Sequence, residues 1–230
     1  MRFLVLASDY DGTIARNSTV DDATLAALGR FKQSGRQLIL VTGRELHDLF
    51  NVFDSRGLFD VIVAENGGVL YRPATERLDV LAAPPAEELT RCLRKEGVHP
   101  LSIGRTIVST QETYRGVVEH IVQKLGLDLH LVSNKGALMV LPPHIDKATG
   151  LLSALAVLKR SPGDVVGVGD AENDQGFLQL CGLSVAVANA LPCLKQQVHY
   201  ITHSSHGAGV QELIAKLLGN ELETVSSASC

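Results

Sequence analysis

The chain has 230 residues, of which 45% are hydrophobic and 20% are charged, and its formal net charge is −4. This length suits one large globular domain or a domain with an insert. The negative charge argues against a nucleic-acid-binding protein, because such proteins usually carry a basic face. The first apolar run is too short for a signal peptide or a membrane span, so we expect no membrane partner. Four scattered cysteines without a CxxC pair favour a cytoplasmic protein with free thiols.

Short runs of aliphatic and β-branched residues recur along the chain and predict strands that are buried on both faces. Helix-like stretches lie between many of these runs, and strand alternating with helix predicts an α/β fold with a doubly wound, mainly parallel sheet. The predicted strands are residues 3–7, 38–41, 61–64, 165–168 and 184–188. The predicted helices are residues 22–34, 44–55, 147–159 and 174–181.

Two proline pairs, Pro84-Pro85 and Pro142-Pro143, divide the chain, and such pairs form stiff, extended connectors. The stretch between them repeats a helix–strand–strand pattern twice, which predicts a small inserted α+β unit with αββαββ order. Ordinary loop prolines are the alternative. The predicted parts are a core of residues 1–83 and 143–220, an inserted cap of residues 84–142, and a flexible tail of residues 221–230.

Acidic and hydroxyl residues follow three of the predicted strands, where the carboxyl ends of a parallel sheet bind ligands. Asp9 and Asp11 follow the first strand and are two residues apart, so an extended backbone points both side chains the same way. One carboxylate can then attack phosphorus while the other transfers a proton to the leaving oxygen. An Asp-Gly surface turn is the alternative interpretation of this segment.

A second acidic pair, Asp170 and Asp174, follows the strand of residues 165–168 at a four-residue spacing that places both on one helical face. Asn173 offers an uncharged oxygen beside them. A few hard oxygen ligands with room for phosphate and water suit Mg²⁺ better than a transition metal. An acidic first helical turn that satisfies the helix dipole is the alternative.

Thr42 and Gly43 end the second predicted strand, and Arg44 is expected to begin a helix. A hydroxyl, free backbone N–H groups and a helix N-terminus together predict an anion site, although a plain N-cap is common. Lys147 follows the inserted unit at a predicted helix start. By residue type alone we would expect an exposed lysine, but its position and the presence of the other acidic and hydroxyl segments favour a residue that binds phosphate.

Together these four segments resemble the motifs of the haloacid dehalogenase superfamily of aspartate-nucleophile phosphatases. Residues 9–13 match its DxDGT pattern, residues 41–44 its second motif, Lys147 its third, and residues 169–174 its GDxxND pattern. The resemblance is strongest to the Cof-type subfamily, which includes sucrose-phosphatase-like and phosphoglycolate-phosphatase-like members. Residues 65–68, 187–190 and 207–210 also resemble that subfamily.

The resemblance implies a role for each matching residue in this chain. Asp9 would be the nucleophile that forms an aspartyl-phosphate, and Asp11 would protonate the leaving alcohol and then activate water. Thr42 and Lys147 would hold the phosphoryl oxygens. The implied Mg²⁺ ligands are Asp9, the backbone carbonyl of Asp11, and Asp170, with support from Asn173 and Asp174.

The substrate is expected to be a small polar phosphorylated metabolite, either a sugar phosphate or phosphoglycolate. Tyr114 is the only aromatic residue in the inserted stretch 86–141, which argues against stacking of a nucleobase. This chain differs from many members of the superfamily at one motif position, where it has Tyr10 and they have an aliphatic residue or Phe. The expected substrate-binding residues are Tyr10, Gly43, Arg44, Asn66, Asn134, Lys135 and Asn189.

Three functions therefore remain open from the sequence. A Mg²⁺-dependent phosphomonoesterase is favoured, working as a monomer or a small homo-oligomer. A phosphosugar mutase would use the same chemistry but usually has a larger cap. A non-catalytic sensor of a phosphorylated metabolite would have no need of the acid–base residue Asp11.

Overall fold

Two β-sheets organise the chain in the computed structural model, which describes residues 2–222. The predicted tail lies mostly outside the described residues, from residue 223 onward. The strands, in chain order, are β1 Val5–Asp9, β2 Gln37–Val41, β3 Val61–Ala64, β4 Val69–Arg72, β5 Arg77–Val80, β6 Ser102–Ile103, β7 Val108–Gln111, β8 His130–Asn134, β9 Ala137–Leu141, β10 Val165–Gly169, β11 Leu183–Ala186 and β12 Tyr200–Ile201.

Eight α-helices connect these strands in the described part of the chain. Two of them begin at aspartates whose side chains accept a backbone N–H: Asp21 before the first helix and Asp146 before the fifth. The helices are α1 Asp22–Gln33, α2 Leu46–Val52, α3 Glu87–Lys95, α4 Arg115–Lys124, α5 Lys147–Leu158, α6 Gln175–Leu180, α7 Pro192–Lys195 and α8 His206–Leu218.

The larger sheet has eight strands in the order β12-β11-β10-β1-β2-β3-β4-β5. The six strands from β12 to β3 are parallel, whereas β4 and β5 form an antiparallel edge. Every residue of β1 and β10 is buried, as expected for strands covered by helices on both faces. The predicted α/β class with a doubly wound, mainly parallel sheet is confirmed. Because the chain runs from β1 to β2 on one side and β10 lies on the other, the strand order reverses at β1, where such folds bind ligands.

The smaller sheet is antiparallel, has the order β6-β7-β9-β8, and belongs to the insert, which we define as residues 84–142. Its elements follow the predicted αββαββ order, with α3 and α4 as the two helices. Apolar residues of both helices and of β7 and β9 form a hydrophobic cluster separate from that of the larger sheet. The insert therefore has a small core of its own.

The structure corrects the boundaries of two predicted helices. The helix expected from Arg44 begins only at Leu46, because Glu45 is extended with φ −67° and ψ 147°. The helix expected from Asp174 begins at Gln175, after a short 3₁₀ turn over Glu172–Asp174. Thr42 and Gly43 thus precede a bend rather than a helix N-terminus, which removes the helix dipole from the predicted anion site.

Within residues 2–222, no helix is both long enough and apolar enough to cross a membrane.

Gly150 tests the packing of α5 on the sheet. A Cβ at this position would lie 2.5 Å from Val63 Cγ1 and 2.6 Å from Gly67 Cα, so Gly150→Ala overpacks the contact. We expect the free energy of unfolding to fall by about 1–3 kcal/mol, measured by urea denaturation. The matched control is Gly29→Ala in α1, where a Cβ would meet nothing within 4 Å. There the better helix propensity of alanine should stabilise the protein by up to about 1 kcal/mol. Equal effects of the two substitutions would contradict this packing.

Candidate active site

Three predicted catalytic residues meet at the carboxyl ends of the central strands. Asp9 is the last residue of β1, Thr42 directly follows β2, and Lys147 is the first residue of α5. All three are almost completely buried. The Lys147 ammonium lies 2.6 Å from Asp9 Oδ1, and Thr13 donates its hydroxyl to Asp9 Oδ2 over 2.9 Å. Both oxygens of Asp9 are thereby held in fixed directions.

Asp174 completes the surroundings of the lysine. Its Oδ1 lies 2.6 Å from Lys147 Nζ, and its Oδ2 accepts the backbone N–H groups of Asp170 and Ala171. Burial opposes the charge on Lys147, but Asp174 and Asp9 raise the pKa of this ammonium above its usual value. The lysine therefore stays protonated and neutralises part of the carboxylate charge.

Asp9, Asp170 and Asp174 form a buried carboxylate cluster, and one oxygen of each lies within 4.8 Å of the others. Burial and the charge of Asp174 raise the pKa of Asp9 above its usual range, while Lys147 lowers it. Burial likewise raises the pKa of Asp170, and a hydrogen bond from Lys135 lowers it. Three carboxylates this close, paired with the two ammonium groups of Lys147 and Lys135, leave one negative charge in excess, which a bound cation would stabilise.

The residues of this cluster fit a hard divalent cation. Asp170 Oδ1 and Asn173 Oδ1 are buried and have no hydrogen-bond partner among the described residues. A buried oxygen without a partner is costly unless it meets a donor or a metal ion. The ligand atoms of the cluster are carboxylate oxygens, and oxygen ligands favour Mg²⁺ over softer transition metals.

Asp11 lies beyond the end of β1 and is held by Arg44. Arg44 donates from Nε to Asp11 Oδ2 over 2.6 Å and from Nη2 to Asp11 Oδ1 over 2.8 Å. The same guanidinium also binds Asp48 and Ser18. These hydrogen bonds raise the pKa of Arg44 above its usual value. Arg44, which the sequence predicted to bind substrate, is thus also the partner of Asp11.

A cleft of about 350 Å³ opens between this site and the insert. Gly43 lies on its core side, where a Cβ would be 3.3 Å from Met139 Sδ of the insert. The core contributes acidic and polar groups, and the insert contributes hydroxyl, amide and apolar groups. The lining residues are Asp9, Asp11, Thr42, Gly43, Arg44, Glu45, His47, Asp48, Ser102, Ser109, Asn134, Ala137 and Met139.

Two predicted substrate residues of the insert reach this region from the β8–β9 turn. Asn134 lines the cleft, and its buried Oδ1 has no partner among the residues described. Lys135 extends to the core, where its ammonium binds Asp170 Oδ2 and its backbone N–H donates to Glu172. The insert therefore places an amide and a positive charge directly beside the carboxylate cluster.

Tyr10 was also predicted to bind substrate, but the structure places it beneath the cleft. Its side chain is completely buried, its hydroxyl donates to Ser18 O over 3.0 Å, and its ring packs edge-on against Phe53. Burial, with the nearby charge of Asp11, raises the pKa of Tyr10 to about 12. The aromatic ring supports the loop that carries Asp11 instead of facing a ligand.

Asn66 and Asn189 were also predicted to bind substrate, but they do not line this cleft; Asn66 lines a neighbouring cavity with Lys147 and Asn173. Asn66 is buried and accepts from Asn173 Nδ2 over 3.1 Å. Asn189 donates to Gly12 O over 2.8 Å and to Asp170 Oδ2 over 3.3 Å. Both amides bind neighbouring protein groups, so their contacts favour a role in orienting the loops around the carboxylate cluster.

Several residues of the cleft were not predicted from the sequence. Glu45 and Asp48 flank the helix start after Arg44, and their place beside the second motif is the only signal that could have indicated them. Ser102 and Met139 belong to short strands of the insert without any motif. They face the site only because the insert folds over the core, which no local pattern encodes.

The model for the haloacid dehalogenase-like hydrolase family matches residues 6–104 and 87–214 of this chain. A phosphoglycolate phosphatase of Methanothermobacter thermautotrophicus is 30% identical over 220 residues, covering 93% of this chain and 98% of that protein. The chain belongs to the haloacid dehalogenase-like hydrolase family. The predicted family and the predicted enzyme class, a phosphatase, are confirmed.

Solved structures agree with this fold. A haloacid dehalogenase-like hydrolase from Bacteroides thetaiotaomicron superposes with a TM-score of 0.82 at 18% identity, covering 94% of this chain and all of that one. The sucrose-phosphatase of Synechocystis, solved with sucrose and phosphate, superposes with a TM-score of 0.70 at 22% identity. That superposition covers 94% of this chain and 98% of the sucrose-phosphatase.

Lys147→Met tests the buried ion pairs. Methionine keeps the length of the side chain but leaves Asp9 and Asp174 buried without their cation. Removing one partner of a buried pair typically costs about 3–5 kcal/mol, so we expect the free energy of unfolding to fall by about this amount. Urea denaturation in buffer containing EDTA measures it. The control is Lys159→Met, which changes an exposed lysine that follows the same helix and should leave stability within about 0.5 kcal/mol. A loss below about 1 kcal/mol for Lys147→Met would show that the ion pairs contribute little.

Proposed function

We propose that this chain is a Mg²⁺-dependent phosphomonoesterase that forms an aspartyl-phosphate on Asp9. The observation that carries the proposal is the buried cluster of Asp9, Asp170 and Asp174, in which Lys147 binds Asp9 and Asp174 and Asp9 lines the cleft. Phosphoryl transfer needs positioning and charge stabilisation more than any other contribution from a protein. A fixed carboxylate nucleophile beside a buried ammonium supplies both.

The first step uses Asp9 and Asp11. A carboxylate oxygen of Asp9 attacks phosphorus, an O–P bond forms, and the bond from phosphorus to the leaving oxygen breaks. Asp11 gives a proton to that oxygen. Because Arg44 holds both oxygens of Asp11, Asp11 must first release at least one of those two hydrogen bonds and take up a proton from solvent, which it then passes to the leaving oxygen. Arg44 thus positions the proton-transfer group and restrains it.

The second step hydrolyses the aspartyl-phosphate. Asp11 now takes a proton from water, the water oxygen attacks phosphorus, and Asp9 is released as a carboxylate with inorganic phosphate as product. Lys147 and Thr42 hold phosphoryl oxygens, as their places beside Asp9 favour. Mg²⁺, held by Asp9, Asp170 and the backbone carbonyl of Asp11, with Asn173 and Asp174 in support, would offset the repulsion between carboxylate and phosphate.

We further propose that residues 84–142 act as a cap and that the substrate is a small phosphorylated metabolite. The name of the Methanothermobacter relative supports phosphoglycolate. The insert side of the cleft supports a sugar phosphate, because Ser102, Ser109 and Asn134 offer neutral hydrogen-bonding groups to hydroxyls. Lys135 is a cation that a carboxylate-bearing leaving group could use.

A panel of phosphorylated metabolites that includes 2-phosphoglycolate, hexose phosphates and nucleoside monophosphates tests this function by phosphate release. We expect one of the first two classes to be the best substrate.

Asp9→Asn should lower the kcat for that best substrate by more than about a thousandfold, because the attacking oxygen is lost. The control Asp54→Asn changes an exposed aspartate and should keep full activity. Activity of Asp9→Asn within tenfold of the wild type would exclude Asp9 as nucleophile. Nucleoside monophosphates as the best substrates would contradict the proposed substrate class.

Mg²⁺ should bind the carboxylate cluster independently of any substrate. At about 100 times its dissociation constant it should stabilise the fold by about 2.7 kcal/mol, which corresponds to a rise in melting temperature of roughly 5–10 °C. Differential scanning fluorimetry with and without EDTA measures this rise. Asp170→Asn should remove the rise, and EDTA should abolish phosphate release by the wild type. Full activity in EDTA would refute the metal requirement.

A further inference from the structure

Glu65 is a buried carboxylate of the core that neither lines the cleft nor belongs to the carboxylate cluster of Asp9, Asp170 and Asp174. It follows β3 directly, and its side chain lies almost completely inside the protein. Its backbone is left-handed with φ 51°, and the next two residues, Asn66 and Gly67, are also left-handed. Such a conformation is costly for a non-glycine residue and is kept only where the surroundings enforce it.

The carboxylate of Glu65 binds the turn that joins β6 to β7 in the insert. It accepts the backbone N–H of Arg105 at 3.0 Å, the backbone N–H of Thr106 at 2.7 Å, and the hydroxyl of Thr106 at 3.0 Å. Hydrogen bonds to a charged acceptor are stronger than neutral ones. One core residue thus receives three hydrogen bonds from the insert.

Two glycines allow this close approach. A Cβ at Gly68 of the core would lie 1.8 Å from Thr106 Oγ1, and a Cβ at Gly104 of the insert would lie 2.7 Å from Glu65 Oε2. Distances this short leave no room for a side chain at either position. The contact between Glu65 and the turn is therefore close-packed as well as hydrogen-bonded.

The turn that Glu65 holds carries cleft residues on both of its strands. Ser102 of β6 pairs directly with Ser109 of β7, and both line the cleft. Since only a short turn separates them from Thr106, fixing that turn fixes the position of these two serines over Asp9.

The core side of Glu65 is tied to the catalytic loops. Its backbone N–H donates to Arg44 O over 2.9 Å, and the N–H of Asn66 donates to Thr42 O over 3.0 Å. The Asn66 side chain also receives the hydrogen bond from Asn173 beside the metal cluster. The same strained segment is therefore bonded to the insert turn and to two loops of the active site.

We propose that Glu65 is a positioning residue that sets the insert on the core and so determines which leaving groups the cleft accepts. It acts through the β6–β7 turn and touches no reacting atom. This inference rests on the proposed phosphatase function. Among the described residues, the other side-chain hydrogen bonds between insert and core run from Ser102 to Glu45, which both line the cleft, and from Lys135 to Asp170 of the carboxylate cluster and to the nearby Glu172.

Glu65→Gln tests the proposal with little change in the size of the side chain. The amide oxygen of glutamine can still accept one of the two backbone N–H groups, but its NH2 group would face the other donor and lose that hydrogen bond. For the best substrate of the panel we expect KM to rise about tenfold with kcat within about threefold, as for a loss of uniform binding. For p-nitrophenyl phosphate, whose leaving group makes few specific contacts, kcat/KM should change by less than about threefold. Hydrogen exchange of residues 102–109 should become faster by at least about tenfold, while residues 165–169 keep their protection.

Two further variants disturb the same contact, one by removing a donor of the insert and one by adding volume on the core side. They test the proposal if Glu65→Gln does not fold. Thr106→Val removes one hydroxyl donor, and Gly68→Ala inserts a methyl group against Thr106, at a residue whose φ of −76° suits alanine. Both should shift KM and hydrogen exchange in the same direction as Glu65→Gln. The control is Gly116→Ala in α4 of the insert, where a Cβ would meet nothing within 4 Å. It should change neither quantity.

Equal losses on the panel substrate and on p-nitrophenyl phosphate would overturn the proposal, because they would indicate a general structural role. Unchanged exchange of residues 102–109 in all three variants would overturn it as well. The exchange experiment needs no turnover, so it separates failure of this inference from failure of the proposed function. If no phosphate is released from any substrate but exchange rises as expected, the positioning contact stands and the phosphatase proposal falls.

Discussion

A buried ammonium held between two carboxylates is the interaction on which the catalytic end of the sheet depends. Lys147 lies 2.6 Å from both Asp9 and Asp174, in a place where almost no solvent reaches any of the three. Charges buried to this degree are tolerated only when they are paired and hydrogen-bonded. Asp170 lies beside them and pairs with Lys135, so three carboxylates face two ammonium groups and one negative charge remains in excess. This excess is the basis of the proposed cation site.

The parallel sheet makes this pairing possible. Asp9 and Asp170 lie at the ends of neighbouring strands, β1 and β10, and α5 brings Lys147 to the same edge. Gly150 lets α5 approach the sheet closely, since a Cβ there would overlap Val63 and Gly67. The main chain therefore fixes the positions of the charges before any ligand arrives, and preorganised charge of this kind is what phosphoryl transfer requires.

Hydrogen bonds hold the insert over this edge and share one pattern. In the described part of the chain, the side-chain hydrogen bonds between insert and core run from donors of the insert to carboxylates of the core. Directional bonds of this type set orientation more strictly than apolar contact does. The acceptors are Glu45, Glu65, Asp170 and Glu172. Since Asp170 also belongs to the carboxylate cluster, the position of the insert and the charge of the site are linked.

Local patterns in the sequence are sufficient to predict the α/β class, the αββαββ insert and the residues that gather at the strand ends. These follow from local periodicity and from the rule that parallel strands end at one edge. Which partner each polar side chain meets depends on the tertiary packing. Arg44 turns to Asp11, Asn66 to Asn173, and Asn189 to Gly12, across sequence separations of 33, 107 and 177 residues. The role of Glu65 depends in the same way on a turn of the insert 40 residues further along the chain. A local pattern identifies a residue that can donate or accept, but its partner is chosen by the packing of distant segments.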